Sequence, residues 1–309
     1  MGSFDVGSGT TKALVARVAP CETPMMSVIW ESSHALALKE DLSIHKSLSE
    51  AIFEEAIKVI SKLKDEMKER KATTFRGVAT MALRQAPNGQ QFIERLSQRV
   101  DFPIKIISQR DEALLGALSA RTLRPDVGAR VIWDIGGASA QWVYQFEGKT
   151  HFALSSLASV SFKEEILKSL KSQRSSPNPL GGDGQKVAQA IALRQSQRFS
   201  TSLKTSIEKS QNIVLGIGGV HRYSILGKLK KLNLIDSNQQ SYVRGDLEKA
   251  IKELVNKNDQ QVGGDYAKTD VTNLILVHTQ MQYLAIEKVE VAQGNLALGA
   301  IVRELVKKD

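Results

Sequence analysis

The spacing of apolar residues changes period several times along the chain. Residues 4–6, 13–18 and 27–38 are short apolar runs that predict three strands, the third of them patchy. Residues 48–70 place Leu48, Ile52, Ala56, Val59, Leu63 and Met67 three or four positions apart, which predicts an amphipathic helix with Ser47 or Ser49 as its N-cap. The alternating charges from Lys62 to Lys71 read as the solvated face of that helix. Strand 75–81, helix 89–100, strand 103–107 and helix 110–121 continue the alternation, and 129–135 is apolar enough for a buried strand. Residues 139–146 and 150–156 pair as a hairpin across Glu147-Gly148-Lys149. Beyond 156 the pattern is more helical: 161–171, 187–210, 220–231, 244–256, 270–284 and 295–307 read as helices, with strands at 212–217 and 287–292. Residues 172–186 carry Pro and Gly breakers and read as a mobile loop. This places a domain boundary near residue 155, giving domains 1–155 and 156–309, with room for the last helix to pack back on the first.

Composition narrows the class. A chain of 309 residues is long enough for about two domains. With 42% hydrophobic and 24% charged residues it is an ordinary folding composition, which excludes disorder of the whole chain. One cysteine, Cys21, excludes an intramolecular disulfide and a cysteine-based zinc site, and the five histidines are scattered. No apolar run nears the ~18 residues of a membrane span, and Met1 to Asp5 resembles no secretory leader, so a cytoplasmic protein is expected. The net charge of +9 favours anionic partners.

Two segments share one grammar. Phe4-Asp5-Val6-Gly7-Ser8-Gly9-Thr10-Thr11-Lys12 and Trp133-Asp134-Ile135-Gly136-Gly137-Ala138-Ser139-Ala140-Gln141 each run from an apolar strand through an Asp into a glycine- and hydroxyl-rich turn. A third turn, Gly216-Ile217-Gly218-Gly219-Val220-His221, lacks the Asp and leads into a helix. Such turns bring backbone N–H groups and hydroxyls to a phosphate, and a helix start adds partial positive charge. Strand-end carboxylates suit a divalent cation with oxygen ligands. The plainer reading of any one of them is a tight hairpin; two of them 129 residues apart, with a third behind, favour phosphate.

The pair of Asp-Gly turns resembles the actin-like superfamily, which implies an α/β fold of two ribonuclease-H-like (actin-like ATPase) domains flanking an interdomain cleft. Two further segments narrow the resemblance. Ala79-Thr80-Met81-Ala82-Leu83-Arg84-Gln85-Ala86-Pro87-Asn88 and Ile107-Ser108-Gln109-Arg110-Asp111-Glu112-Ala113 look like the A-T-x-A-x-R-x-A-x-N and I-S-G-x-E-E-A stretches of the exopolyphosphatase/guanosine pentaphosphatase (Ppx/GppA) family. They stand in the family's order between its opening D-I-G-S-N-S and its D-I-G-G-G-S-T-E. Leu157 to Val160, residues 214–226 and residues 286–299 are similar to its later motifs. The resemblance covers nearly the whole chain in the short, two-domain form.

It implies a hydrolase that releases terminal phosphate from polyphosphate or guanosine pentaphosphate with magnesium. Glu112 matches the general base, with Asp111 beside it as the alternative, and Arg84 matches the phosphate-holding arginine. Asp5 and Asp134 match the metal-side aspartates, and Gln141 takes the place of a metal-linked Glu. Gly7, Ser8, Gly136, Gly137, Ser139, Gly218 and Gly219 match phosphate-loop positions, Gly9 and Thr10 of the first turn are further candidate phosphate contacts, and Lys12 is a further cation for phosphate. Relatives of this size often pair through the second domain, so a homodimer is expected, with no membrane and no specific nucleic-acid motif.

The departures weaken the metal and phosphate contacts. Gln141 removes one negative charge; Ala138 and Ala140, Gln109, Val220, Gly9, and Ala297 with Leu298 replace family residues. They leave a binding protein or sensor with weakened catalysis as the second reading. An actin-like kinase or ATPase is the third, on the Gly9-Thr10-Thr11-Lys12 turn. The charge is also uneven: residues 161–231 hold 13 basic and four acidic residues, the whole excess of +9, while the rest balances. A basic border including Lys228, Lys230 and Lys231 favours polyphosphate over a compact nucleotide.

Overall fold

A computed structural model describes residues 1–19, 25–127, 131–137 and 139–306, so the Cys21 and Ala138 positions lie outside the described residues. The chain forms two compact units, Met1–Ser119 together with Asn295–Asp309, and Ala120–Gly294.

The first unit begins with β1 (Gly2–Val6), β2 (Thr10–Ala19) and β3 (Met25–Ala35), then α1 (Leu38–His45) and α2 (Glu50–Glu69). It continues with β4 (Phe75–Ala79), α3 (Met81–Gln85), α4 (Gly89–Val100), β5 (Ile104–Ile106) and α5 (Gln109–Leu123), the helix in which the division falls. The sheet order is β3-β2-β1-β4-β5. β1 pairs antiparallel with β2 across a tight turn and parallel with β4, a crossover that α1 and α2 supply. α2 forms where its periodicity demands: Ser49 Oγ accepts from Ile52 N at 3.3 Å, and Ile52, Phe53, Ala56, Ile60, Leu63 and Met67 are buried. Each such side chain contributes about 1.5–3 kcal/mol by leaving water. Phe4 stacks on Phe102 at 4.8 Å in the same core.

The second unit holds β6 (Val131–Ile135), β7 (Ala140–Phe146), β8 (Lys149–Ser155), α6 (Ser159–Ser169), α7 (Gly181–Ser196), α8 (Thr201–Glu208) and β9 (Ile213–Ile217). A π-helical stretch, Val220–Leu226, runs into α9 (Gly227–Lys231). Then come β10 (Ser241–Val243), α10 (Arg244–Leu254), α11 (Asp259–Val262), α12 (Ala267–Tyr283) and β11 (Lys288–Val291). Its sheet runs β10-β11-β9-β6-β7-β8. Read from β8, the first five strands repeat the order and directions of the first unit, with β6 antiparallel to β7 and parallel to β9. Trp133 and Trp142 face each other in the β6–β7 register and stack at 4.3 Å. The last helix, α13 (Leu296–Val306), belongs to the first unit, where Ala297, Leu298 and Ile301 pack with Leu14 and Ala16. No helix among the described residues is long and apolar enough to cross a membrane.

The expected boundary near 155 is corrected to 119/120. β6 is bonded to β9 through Ile132↔Leu215 and its neighbours, so the β6–β8 meander belongs to the second sheet. The segment 172–186 is not one mobile loop: Ser176 and Asn178 are buried and both donate to Asp259 Oδ1, at 2.6 and 3.0 Å, and α7 already starts at Gly181. The expected helix 187–210 is broken where Ser200 accepts from Leu203 N and caps α8. α1, α3, β10 and α11 were not anticipated, being too short to show a period.

Candidate active site

The turn after β1 is closed by Gly7 N donating to Thr10 O at 3.0 Å. A Cβ on Gly7 would stand 2.7 Å from that oxygen, so the turn requires glycine there. The carbonyls of Ser8 and Gly9 point inward and accept from Lys39 N (2.8 Å) and Leu36 N (3.0 Å). Ser8 Oγ accepts from Ala82 N at 3.2 Å, which ties the turn to the start of α3 and leaves its proton free to be donated. Asp5 faces Lys12 across the strand pair; Lys12, Gly9 and Thr10 are exposed.

Behind this turn lie two carboxylates and one cation. Asp5 is 6% exposed and its Oδ1 has no partner. Burial pushes its carboxyl above the usual range, with Lys12 pulling the other way. Arg84, on α3, donates from Nη1 to Ile107 O at 2.6 Å and reaches Glu112 Oε2 from Nη2 at 3.3 Å. Glu112 stands in the first turn of α5, where burial pushes its carboxyl up; Arg84 lowers it and the charge of Asp5 raises it again. Its neighbour Asp111 is the opposite case: Ser108 Oγ donates to it at 2.7 Å and Arg303 grips it at 2.7 Å, and these bonds hold its carboxyl low. Of the two adjacent acids, only Glu112 shares a partner and a field with Arg84 and Asp5.

The second turn repeats the first. Gly136 N donates to Ser139 O at 2.9 Å, and Asp134 faces Gln141 as Asp5 faces Lys12. The carbonyls of Gly136 and Gly137 accept from Ser159 N (3.2 Å) and Val160 N (2.7 Å) at the start of α6. Gln141 is 1% exposed; its Nε2 donates to Ser139 Oγ at 3.0 Å and its Oε1 has no partner. The third turn meets the second: Gly218 has φ +89, and a Cβ there would fall 2.3 Å from Asp134 Oδ1. Gly219 opens the π-helical stretch that follows.

The expected residues therefore form two groups. Asp5, Gly7, Ser8, Gly9, Thr10, Lys12, Arg84 and Glu112 gather in the first unit; Asp134, Gly136, Gly137, Ser139, Gln141, Gly218 and Gly219 gather in the second. No cluster of three or more acidic, His or Cys side chains is present among the described residues. The unpartnered Asp5 Oδ1 and Gln141 Oε1 are buried oxygen acceptors, as a hard divalent cation requires.

Sequence reasoning missed two features. His221 is fully buried behind the third turn, its Nδ1 2.6 Å from Tyr242 Oη, and burial pushes its imidazole down to about 3. Its ring would meet a Cβ on Gly216 at 2.9 Å. Lys228, expected on a basic border, is 5% exposed and bound to Asp270 at 2.8 Å and to the carbonyls of Val262 and Gly263. No spacing in the sequence signals either one.

A family model described as the Ppx/GppA phosphatase family matches residues 14–308. A guanosine-5'-triphosphate,3'-diphosphate pyrophosphatase of Vibrio cholerae is 29% identical over 155 residues, half of this chain and 30% of that protein; a Vibrio vulnificus counterpart is 28% identical over the same length. The chain thus matches under a third of these relatives' length. Among solved structures, the Aquifex aeolicus Ppx/GppA family member superposes with a TM-score of 0.80 at 19% identity, covering 100% of this chain and 98% of that one. An exopolyphosphatase from Cytophaga hutchinsonii gives 0.74 at 16%, covering 99% and 97%. These likenesses show the fold, two actin-like α/β domains.

Proposed function

We propose a function from one premise: this chain belongs to the Ppx/GppA phosphatase family. It is a phosphohydrolase that releases terminal phosphate from polyphosphate or from guanosine pentaphosphate. The observation that carries this reading is the Asp5, Arg84 and Glu112 group behind the Ser8 turn.

Water attacks the terminal phosphorus, a P–O bond forms, the anhydride P–O bond breaks, and the water's proton passes to Glu112. A base works best with its pKa near the working pH, and burial moves Glu112 that way. Arg84 is fixed by Ile107 O and needs only to exchange Glu112 for a phosphate oxygen to neutralise charge in a largely electrostatic reaction. The Ser8 hydroxyl and the amides of the first turn add donors. Asp5 would hold magnesium in the first unit, and the oxygens of Asp134 and Gln141 are the corresponding cation ligands of the second. The ion, when bound, supplies positive charge to the phosphate oxygens.

Phosphate release from polyphosphate, guanosine pentaphosphate and ATP, with and without magnesium, tests the reading. Glu112→Gln should lower kcat by about 10²–10⁴-fold without loss of fold. Equal release by that variant would remove Glu112 from the mechanism, and release from ATP alone would favour the kinase class. The second reading, a ligand-binding member with weakened turnover, draws support from Gln141, whose buried amide oxygen carries no charge where the family has a carboxylate.

A further inference from the structure

A second polar recess lies in the second unit. The cavity of about 230 Å³ is bounded by Ser155 and Ser156 at the end of β8, Glu165 on α6, and Arg194, Gln195 and Arg198 at the end of α7. Its floor is fixed: Gln195 donates to Ser155 Oγ and accepts from Gln280 Nε2 at 3.0 Å, and Ser155 Oγ also accepts from Leu157 N at 2.9 Å. Arg194 and Arg198 stand four residues apart, about one helical turn, and Arg198 N closes on Gln195 O at 3.0 Å. Among the described residues neither guanidinium has an ion pair or a hydrogen bond. Two like charges one turn apart repel unless an anion lies between them. Glu165 offsets one of them, so the recess keeps a net positive charge.

We infer that this recess is an anion subsite for the phosphoryl chain of polyphosphate, which rests on the hydrolase reading above and names its substrate. The wall residue Leu157 is two positions from Ser159, whose amide donates to Gly136 O. Two residues reach no further than about 7 Å, so the recess adjoins the second phosphate-type turn. A linear polyanion held at that turn passes the two arginines within a few units, and arginine forks suit its non-bridging oxygens. A compact nucleotide has no repeating charge to carry there. The recess also places two of the 13 basic residues of 161–231, whereas Lys228 of the same stretch is buried against Asp270.

The test uses the full chain and its Arg194→Gln/Arg198→Gln variant. Two readouts are taken: phosphate release from tripolyphosphate, long-chain polyphosphate and guanosine pentaphosphate, and direct calorimetric binding of long-chain polyphosphate. The variant should raise KM and Kd for the long chain about tenfold or more and leave tripolyphosphate unchanged. The log–log salt dependence of long-chain binding should become shallower by about 1.4 units, two contacts at about 0.7 each. Weakened long-chain binding in a protein that releases no phosphate would sustain the subsite and overturn the hydrolase reading. An equal effect of the variant on tripolyphosphate and on the long chain, a lowered melting temperature as the only change, or an equal loss for guanosine pentaphosphate would each overturn the subsite.

Discussion

The turns at Asp5 and Asp134 have one backbone and two chemistries. Each closes through a glycine amide onto the carbonyl three residues on, and each sends two carbonyls to the start of a following helix or its approach. Around Asp5 the side chains are charged: Lys12 opposite, Glu112 and Arg84 behind. Around Asp134, Gln141 stands opposite and Gly218 is pressed against the carboxylate. The helices after the adjacent strands show the same split. Arg84, five residues past the end of β4, reaches a carboxylate; Arg222, five past the end of β9, lies over the ring of its neighbour Tyr223 at 5.2 Å. A duplicated fold thus keeps its backbone hydrogen bonds while the residues facing its two strand-end aspartates differ, a lysine opposite Asp5 and a glutamine opposite Asp134.

The sharpest break in the comparison is Arg84→Met against Arg222→Met. The first removes the cation beside Glu112 and should lower kcat/KM by about 10²–10³-fold, in the range of a lost transition-state donor. It should also move the acid limb of the pH profile upward. Arg84 lowers the Glu112 pKa while burial and Asp5 raise it, so without Arg84 the carboxylate ionises only at higher pH. The sign for stability follows. With its folded pKa above the unfolded value, Glu112 contributes stability at low pH that fades as pH rises through the folded pKa. Arg222→Met should change activity less than about threefold, since a half-buried arginine over its neighbour's exposed ring contributes about 1 kcal/mol. Equal losses from the two variants would erase the asymmetry.

Next in size is a matched pair of glycine substitutions, read by thermal unfolding. A Cβ at Gly7 would sit 2.7 Å from Thr10 O, and one at Gly136 3.3 Å from Ser139 O. Gly7→Ala should cost about 1–3 kcal/mol, as overpacking against backbone does, and Gly136→Ala under about 1 kcal/mol. A reversed order would mean that the two turns relax differently from their shared hydrogen bond.

Much of this was legible in the chain and some of it was not. The Asp-Gly turns announced themselves because glycine at a tight turn and a strand-end carboxylate are local signals. α2 and α4 followed from period, whereas the register that sets Asp5 against Lys12 and Asp134 against Gln141 is seen only once the strands are paired. The boundary failed because strand partnership is not local: nothing near Ile132 says that its neighbour is Leu215 rather than a strand of the first unit. That Asp111 is already engaged was hidden for the same reason. It depends on Arg303, 192 residues away, which holds Asp111. Lys228 looked like surface charge until its partner Asp270, on another helix, was placed beside it. Ala297 and Leu298 looked like lost charges, yet both are buried against Leu14 and Ala16, where an arginine or a glutamate would lie among apolar side chains.

The smallest expected effect bears most directly on whether the second turn has given up its metal chemistry. Gln141 is buried, donates to Ser139 Oγ, and leaves Oε1 unpartnered. Gln141→Glu keeps the shape, adds a negative charge beside Asp134, and replaces the donor to Ser139 with an acceptor that the serine hydroxyl can satisfy by reversing the bond. Without magnesium the new carboxylate is buried next to a like charge, so the variant should melt lower than the parent. With magnesium the penalty should be offset, so the variant's melting temperature should rise with added magnesium more than the parent's does. Turnover at limiting magnesium should rise a few-fold while turnover at saturating magnesium stays near the parent's. If added magnesium leaves the variant's stability unchanged, the second turn holds no cation and its likeness to the first ends at the backbone.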